Sequence, residues 1–192
     1  TCLSQLYHDH RRGLLSGYAK FETFPIWNIP LKHPVNLCYE AATADIEDFN
    51  LIDPFHINAY GKSAVNYNRD VEVFPVLRRI LQKIMQEKMP YASPTDMGVN
   101  RAGFAITDDD AVKEASRQEL IRRYFRYRYE NAIGVGKEKT VEKVVLLMEE
   151  LNVRPEDRRV VEAARAAAAE PRKEGRPVPD ISCGGALELT DG

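Results

Sequence analysis

Apolar residues keep helical spacing from the first positions of the chain. Leu3, Leu6 and Tyr7 share one face, and the pattern stops near Gly13, whose permissive backbone suits a helix end. A second helical set, Val35, Cys38, Ala41, Ala42 and Ile46, follows Pro34 and predicts a helix over 35–46. Between them, 18–31 is aromatic and broken by Pro25 and Pro30, which excludes a helix and leaves an extended strand or a packed loop. Phe49–Ile52 reads as a short strand ending at Asp53-Pro54, followed by a polar, aromatic, glycine-containing loop with short extended pieces to Asp70. The clearest helix carries Val73, Leu77, Ile80, Leu81, Ile84 and Met85 inward and Arg78, Arg79, Gln82 and Lys83 outward, and it tolerates Pro75 only near its first turn. Pro90–Arg101 reads as a second loop and Ala102–Thr107 as a buried strand. Helices then follow over 108–131, 138–151 and 156–170, the last with Pro155 at its start.

Alternation of short strands with helices makes α/β the expected class, with a mainly helical subdomain after about residue 108. The expected organisation is an α/β portion over 1–107 that continues an upstream domain, a helical subdomain over 108–170, and a linker with the start of a β element over 171–192. The linker is the charged, proline-rich 171–179, and Ile181 opens the β element. Both ends read as cut. The chain opens in a helical pattern at Thr1, and Asp191-Gly192 is a hairpin turn whose first strand is Ala186–Thr190.

Composition narrows the functional classes. The 192 residues are 44% apolar and 29% charged, an ordinary globular mixture. A net charge of −2 exerts no global pull on nucleic acid or an anionic membrane. The longest purely apolar run, Val144–Met148, is far too short to span a bilayer. No basic-then-apolar leader opens the chain, and Cys2, Cys38 and Cys183 are widely spaced and odd in number. This pattern fits reduced thiols in a cytoplasmic protein.

Several unusual strings carry a resemblance. They are Lys20-Phe21-Glu22-Thr23-Phe24-Pro25, Ile52-Asp53-Pro54-Phe55-His56, Val65-Asn66-Tyr67-Asn68-Arg69-Asp70, Ser93-Pro94-Thr95-Asp96-Met97-Gly98-Val99-Asn100 and Glu114-Ala115-Ser116-Arg117-Gln118-Glu119. In this order they resemble the bacterial family catalogued as domain of unknown function eighteen forty-six, whose members are considerably longer. The resemblance implies a Gly-Pro-rich loop ending in Gly-Lys just ahead of Thr1, a phosphate cradle at a helix amino terminus. Members are sometimes named ATP-dependent peptidases or zinc proteases. The chain itself has no His-Glu-x-x-His. His8 and His10 point about 200° apart on a helix, a poor chelating geometry, so no metal ligand is assigned.

Chemistry concentrates in two loops. Asp53 falls where the Phe49–Ile52 strand ends, with His56 close by. Together they are the candidate catalytic pair, Asp53 orienting the imidazole or holding a metal and His56 acting as acid or base. The plainer reading makes Asp53 a turn cap and His56 a hydrogen-bonded packing residue. Lys62, Asn66, Asn68 and Arg69 are candidate substrate-binding residues, the two cations holding an anionic group. Gly61-Lys62-Ser63 ends like a phosphate loop but has His56 where the first glycine belongs. Thr95, Asp96 and Asn100 complete the candidate binding set, although turn chemistry alone explains Pro94, Asp96 and Gly98.

Elsewhere the plainer readings lead. Asp108–Asp110 caps a helix, Glu114 and Arg117 form a solvated ion-pair face, and Arg122–Tyr129 packs its aromatics beneath snorkelling arginines. The expected function is therefore an enzyme using a nucleotide or a phosphorylated small molecule. The cofactor is left open, a nucleotide with magnesium being what an upstream phosphate loop implies. No nucleic acid and no membrane partner is expected. The alternative is a non-catalytic binding or assembly protein, a homo-oligomer in which the same loops and Phe21–Trp27 form the partner surface.

Overall fold

The structure, a computed structural model, describes residues 1–19, 25–86, 89–169 and 183–189. The described chain is mostly helical, with one two-stranded antiparallel sheet. Among the described residues there are seven helices: α1 (Cys2–Arg11), α2 (Pro34–Ala42), α3 (Pro54–Tyr60), α4 (Asn68–Met85), α5 (Asp109–Ala132), α6 (Glu138–Glu150) and α7 (Arg159–Ala169). Strands β1 (Asn50–Ile52) and β2 (Val65–Tyr67) pair with Leu51 opposite Asn66. The chain divides into two compact units, 1–116 and 117–192, and the division falls within α5.

In the first unit the core gathers Leu6 of α1, Phe74, Leu81 and Met85 of α4, Tyr91 and Met97. The buried stripe of α4 is Phe74, Leu81 and Met85, whereas Val73 and Ile80 are exposed, so the helix is rotated from the expected face. It also begins at Asn68, which places Pro75 inside it rather than in its first turn. Pro75 has no N–H to offer the Val71 carbonyl, and the flanking turns carry the helix across that gap.

Two expectations are corrected. The polar stretch after Asp53, expected as loop with short extended pieces, supplies β2 as one such piece but also holds a helix, α3. Asp53 is the N-cap, Pro54 occupies the first helical position, and Gly61 ends α3 at φ +63°, where an L side chain is strained. Ala102–Thr107 is not a buried strand: 102–105 form a 3₁₀ turn and Phe104 is 69% exposed. The Asn100 side-chain Oδ1 accepts from the Ala102 N–H at 2.9 Å and turns the chain. A methyl group on Gly103 would lie 2.5 Å from the Asn28 side-chain oxygen and 2.9 Å from the Ile26 Cγ2, so these side chains would have to shift to admit it. The helix expected over 35–46 is α2 followed by a 3₁₀ turn at Ala44–Ile46. His33 caps α2 by accepting the Val35 N–H at its Nδ1, and its Nε2 meets Asp109 Oδ1 at 2.9 Å.

In the second unit, Leu120, Ile121 and Tyr127 of α5 and Val141, Val144, Leu147 and Met148 of α6 are buried. Gln118 donates to the Asp157 carbonyl at 3.0 Å, tying α5 to the 3₁₀ turn Pro155–Asp157 that precedes α7. The arginines of 122–129 are largely engaged along the helix, Arg122 and Arg123 with Glu119 and Arg126 with Glu130. Asp108 accepts from the Ala111 N–H at 2.9 Å at the start of α5. Residues 183–189 hold no regular element, and the expected linker, Ile181 and Thr190 lie outside the described residues, as do Lys20–Phe24.

Phe74, 1% exposed at the centre of the first core, sets a measurable stability. Phe74→Ala should lower the unfolding free energy by about 3–5 kcal/mol in urea titration. Val76→Ala, two residues on and exposed, should change it by no more than about 0.5 kcal/mol.

Candidate functional site

Asp53 organises the region. Its side chain is completely buried. Oδ1 accepts the N–H groups of Phe55 at 2.9 Å and His56 at 3.1 Å, closing the amino end of α3. Oδ2 accepts the Thr95 hydroxyl at 2.6 Å and the Thr95 N–H at 3.3 Å, forty-two residues away in sequence. A buried carboxylate needs such partners on both oxygens, and this one ties α3 to the 3₁₀ turn Pro94–Met97. Asn66 of β2 adds a bond from its amide to the Thr95 hydroxyl at 3.3 Å.

The same junction orients His56. Its Nδ1 lies 3.1 Å from Ser93 Oγ, and its ring sits 4.7 Å from Tyr60 and 6.2 Å from Trp27 between centroids. Ser93 is fully buried, and its hydroxyl is the hydrogen-bond partner of the imidazole. Asp96 accepts from the N–H groups of Ala92 and Ser93 at 2.8 and 2.9 Å and from the Tyr60 hydroxyl at 2.9 Å. The bond to Asp96 raises the Tyr60 phenol above its ordinary value, because the carboxylate stabilises the protonated form.

Trp27 reaches the site through a separate clamp. Asn36 of α2 is fully buried and bonds both the N–H and the carbonyl of Ile26, at 2.8 and 3.1 Å, and the Pro30 carbonyl at 3.1 Å. The Trp27 carbonyl accepts the Val65 N–H at 3.0 Å, and Ile26 forms a parallel bridge with Asn100. The result is a cavity of about 420 Å³ walled by Trp27, His56, Tyr60, Thr95, Asp96 and Arg101. The Trp27 Nε1 is shielded from solvent and has no hydrogen-bond partner.

The structure therefore brings together Asp53, His56, Asn66, Thr95 and Asp96, with Asn100 on the bridge beside them. It does not bring Lys62, Asn68 and Arg69 to this cavity. Lys62 is exposed just after α3. Asn68 accepts the Phe49 N–H at 2.9 Å and so closes the β1–β2 pair, and Arg69 is engaged with Asp48. Sequence reasoning missed Asn36, Ser93 and Arg101. Ser93-Pro94 carries a helix-start signal, and Arg101 is the last residue of the glycine-containing loop. Nothing in sequence distinguishes Asn36 from a surface asparagine. Among the described residues no three His, Cys, Asp or Glu side chains come together to hold a metal ion, no helix is long and apolar enough to cross a membrane, and no disulfide joins the cysteines.

Comparison with known proteins places these residues in context. The family model described as Domain of unknown function DUF1846, N-terminal, matches residues 1–152. A UPF0371 protein of Streptococcus thermophilus is 63% identical over 170 residues, 88% of this chain and 34% of that protein. A UPF0371 protein of Clostridium botulinum is 56% identical over 192 residues, 100% of this chain and 38% of that protein. The chain thus spans little more than a third of the length of these relatives.

The junction at Asp53 is testable by a double-mutant cycle. Asp53→Ala and Thr95→Val should each destabilise the fold. Their combination should fall short of additivity by roughly 0.5–3 kcal/mol in chemical denaturation, the range for residues in direct contact.

Proposed function

The chain belongs to the DUF1846 family, whose function is unknown, and we propose that its Trp27–His56 cavity binds the body of a phosphorylated small molecule or nucleotide and carries out acid–base chemistry on it. The observation that carries this reading is the convergence on one cavity of an oriented imidazole, an aromatic wall and a cation, His56, Trp27 and Arg101. Ligand sites of this kind combine apolar walls with a few placed polar groups. His56 is the acid–base residue, its Nδ1 engaged by Ser93 and its Nε2 the atom left for substrate. Asp53 acts through backbone, holding the His56 N–H and the Thr95 loop. Arg101 holds the anionic group, while Lys62, Asn68 and Arg69 stand outside the cavity. Asn66 and Asn100 keep the loops in register, and Thr95 and Asp96 complete the wall.

In this reading residues 1–107 are part of an α/β domain completed by the longer chain, whose phosphate loop precedes Thr1 and brings a nucleotide with magnesium. The protein works in the cytoplasm. The assembly alternative rests on a different observation, the exposed Val73, Val76 and Ile80 at helical spacing on α4, the kind of apolar stripe that a second subunit covers.

The test is thermal unfolding of the full-length protein with adenine and guanine nucleotides and with sugar phosphates, each with and without magnesium. A true ligand at a hundred times its dissociation constant adds about 2.7 kcal/mol of stability. Arg101→Gln should weaken it roughly tenfold, and His56→Gln should retain binding while abolishing turnover. Absence of any shift, together with a stable oligomer broken by Val76→Asp, contradicts the enzyme reading and favours assembly.

A further inference from the structure

The polar groups that wall the Trp27–His56 cavity are partly occupied by one another and partly open. The Thr95 hydroxyl is occupied, since its proton goes to Asp53 Oδ2 and its oxygen accepts from the Asn66 amide. The His56 Nδ1 is engaged by Ser93. Asp96 is divided between the two conditions. Its Oδ2 accepts three donors, the N–H groups of Ala92 and Ser93 at 2.8 and 2.9 Å and the Tyr60 hydroxyl at 2.9 Å. Its Oδ1 has no partner among the described residues.

The cap at the start of the Pro94–Met97 turn accounts for Oδ2 and not for Oδ1. A side chain in this capping position needs one acceptor oxygen, and a neutral amide supplies it as a carboxylate does. Three donors on a single oxygen fix the carboxylate in place and leave the second oxygen its full acceptor capacity. Tyr60 adds another acceptor beside it. The bond to Asp96 holds the phenol above its ordinary value, so it keeps its proton there and its oxygen is left to accept.

Arg101 lines the same cavity, and among the described residues no ion pair joins it to Asp96 or to another acid. Opposite charges that share a cavity without meeting are both left for a ligand. The matching ligand carries an anionic group for Arg101 and adjacent hydrogen-bond donors for Asp96 and Tyr60. Hydroxyl groups on neighbouring carbons supply two such donors side by side, and the C–H surface of the same ring suits the Trp27 wall. An ammonium group suits the site less well, because three donors already meet the Asp96 charge and Arg101 lines the same space. We propose that the cavity selects a sugar phosphate, Asp96 Oδ1 and the Tyr60 oxygen accepting from neighbouring sugar hydroxyls while Arg101 holds the phosphate. The assignment rests on the reading of this cavity as a phosphometabolite site and names Asp96 as its specificity-determining residue.

Calorimetric titration of the full-length protein with ribose 5-phosphate, glucose 6-phosphate and n-propyl phosphate tests it. The last ligand carries the phosphate and lacks the hydroxyls. At least one sugar phosphate should bind roughly tenfold or more tightly than n-propyl phosphate. Asp96→Asn retains an oxygen for the three donors and puts an amide NH₂ in place of Oδ1. It should lower the affinity for that sugar phosphate roughly tenfold and leave n-propyl phosphate unchanged. Tyr60→Phe should remove part of the same preference, and Arg101→Gln should weaken all three ligands alike. Equal binding of the three ligands, weakened by Arg101→Gln, would leave a phosphate site in the cavity and overturn the sugar assignment alone. So would an Asp96→Asn protein that melts at lower temperature yet keeps the preference, which is the signature of a capping role only. Absence of saturable binding by all three would overturn the assignment together with the reading beneath it.

Discussion

A carboxylate buried away from water must have its charge met on every side, and Asp53 meets it with two N–H groups of its own helix and two donors of Thr95. Removal of any one of these partners leaves a buried acceptor less than fully satisfied, which costs about 1–3 kcal/mol. The positions of α3 and of the Ser93–Met97 segment are thereby made interdependent. The core supports the same arrangement from below, since Phe55 packs against Phe74 at 4.8 Å between ring centroids, with the rings tilted by 58°, and Met97 lies in the same apolar cluster.

From this junction the site geometry follows in order. The amino end of α3 sets the direction of the helix, and the helix sets His56 and Tyr60 one turn apart on one face. The Thr95 loop then brings Ser93 to the imidazole and Asp96 to the phenol. A second clamp, built on Asn36, fixes Trp27 across from them. Two polar networks from distant parts of the chain therefore define one cavity, and their hydrogen bonds are buried enough to resist competition from water. Such prearrangement is what acid–base chemistry requires of its surroundings.

Much of the helical content was legible in sequence because α1, α4, α5 and α6 carry long apolar repeats or clear boundaries. The face of α4 was not, because Val73 and Ile80 fit the helical repeat as well as Phe74 and Leu81 do, and only tertiary packing chooses between them. Helix α3 was hidden by its length and polar composition, although Asp53, Pro54 and Gly61 mark its start and stop. Among the site residues, Asp53, His56, Thr95 and Asp96 were accessible because cap and turn chemistry singles out their loops. Arg69 and Asn68 were equally rich in donors, but their partners Asp48 and Phe49 lie in the β1 region, a pairing that periodicity does not carry.

Amide hydrogen exchange at Phe55, His56 and Thr95, the three N–H groups that Asp53 accepts, tests the organising role of this carboxylate most directly. If Asp53 locks helix and loop into one unit, the three amides should open together, with an opening free energy close to that of the core amides of Leu81 and Met85. Fast, loop-like exchange at Thr95 alongside protection at Phe55 and His56 would show that Asp53 caps α3 alone, and would contradict the account of the site built on it.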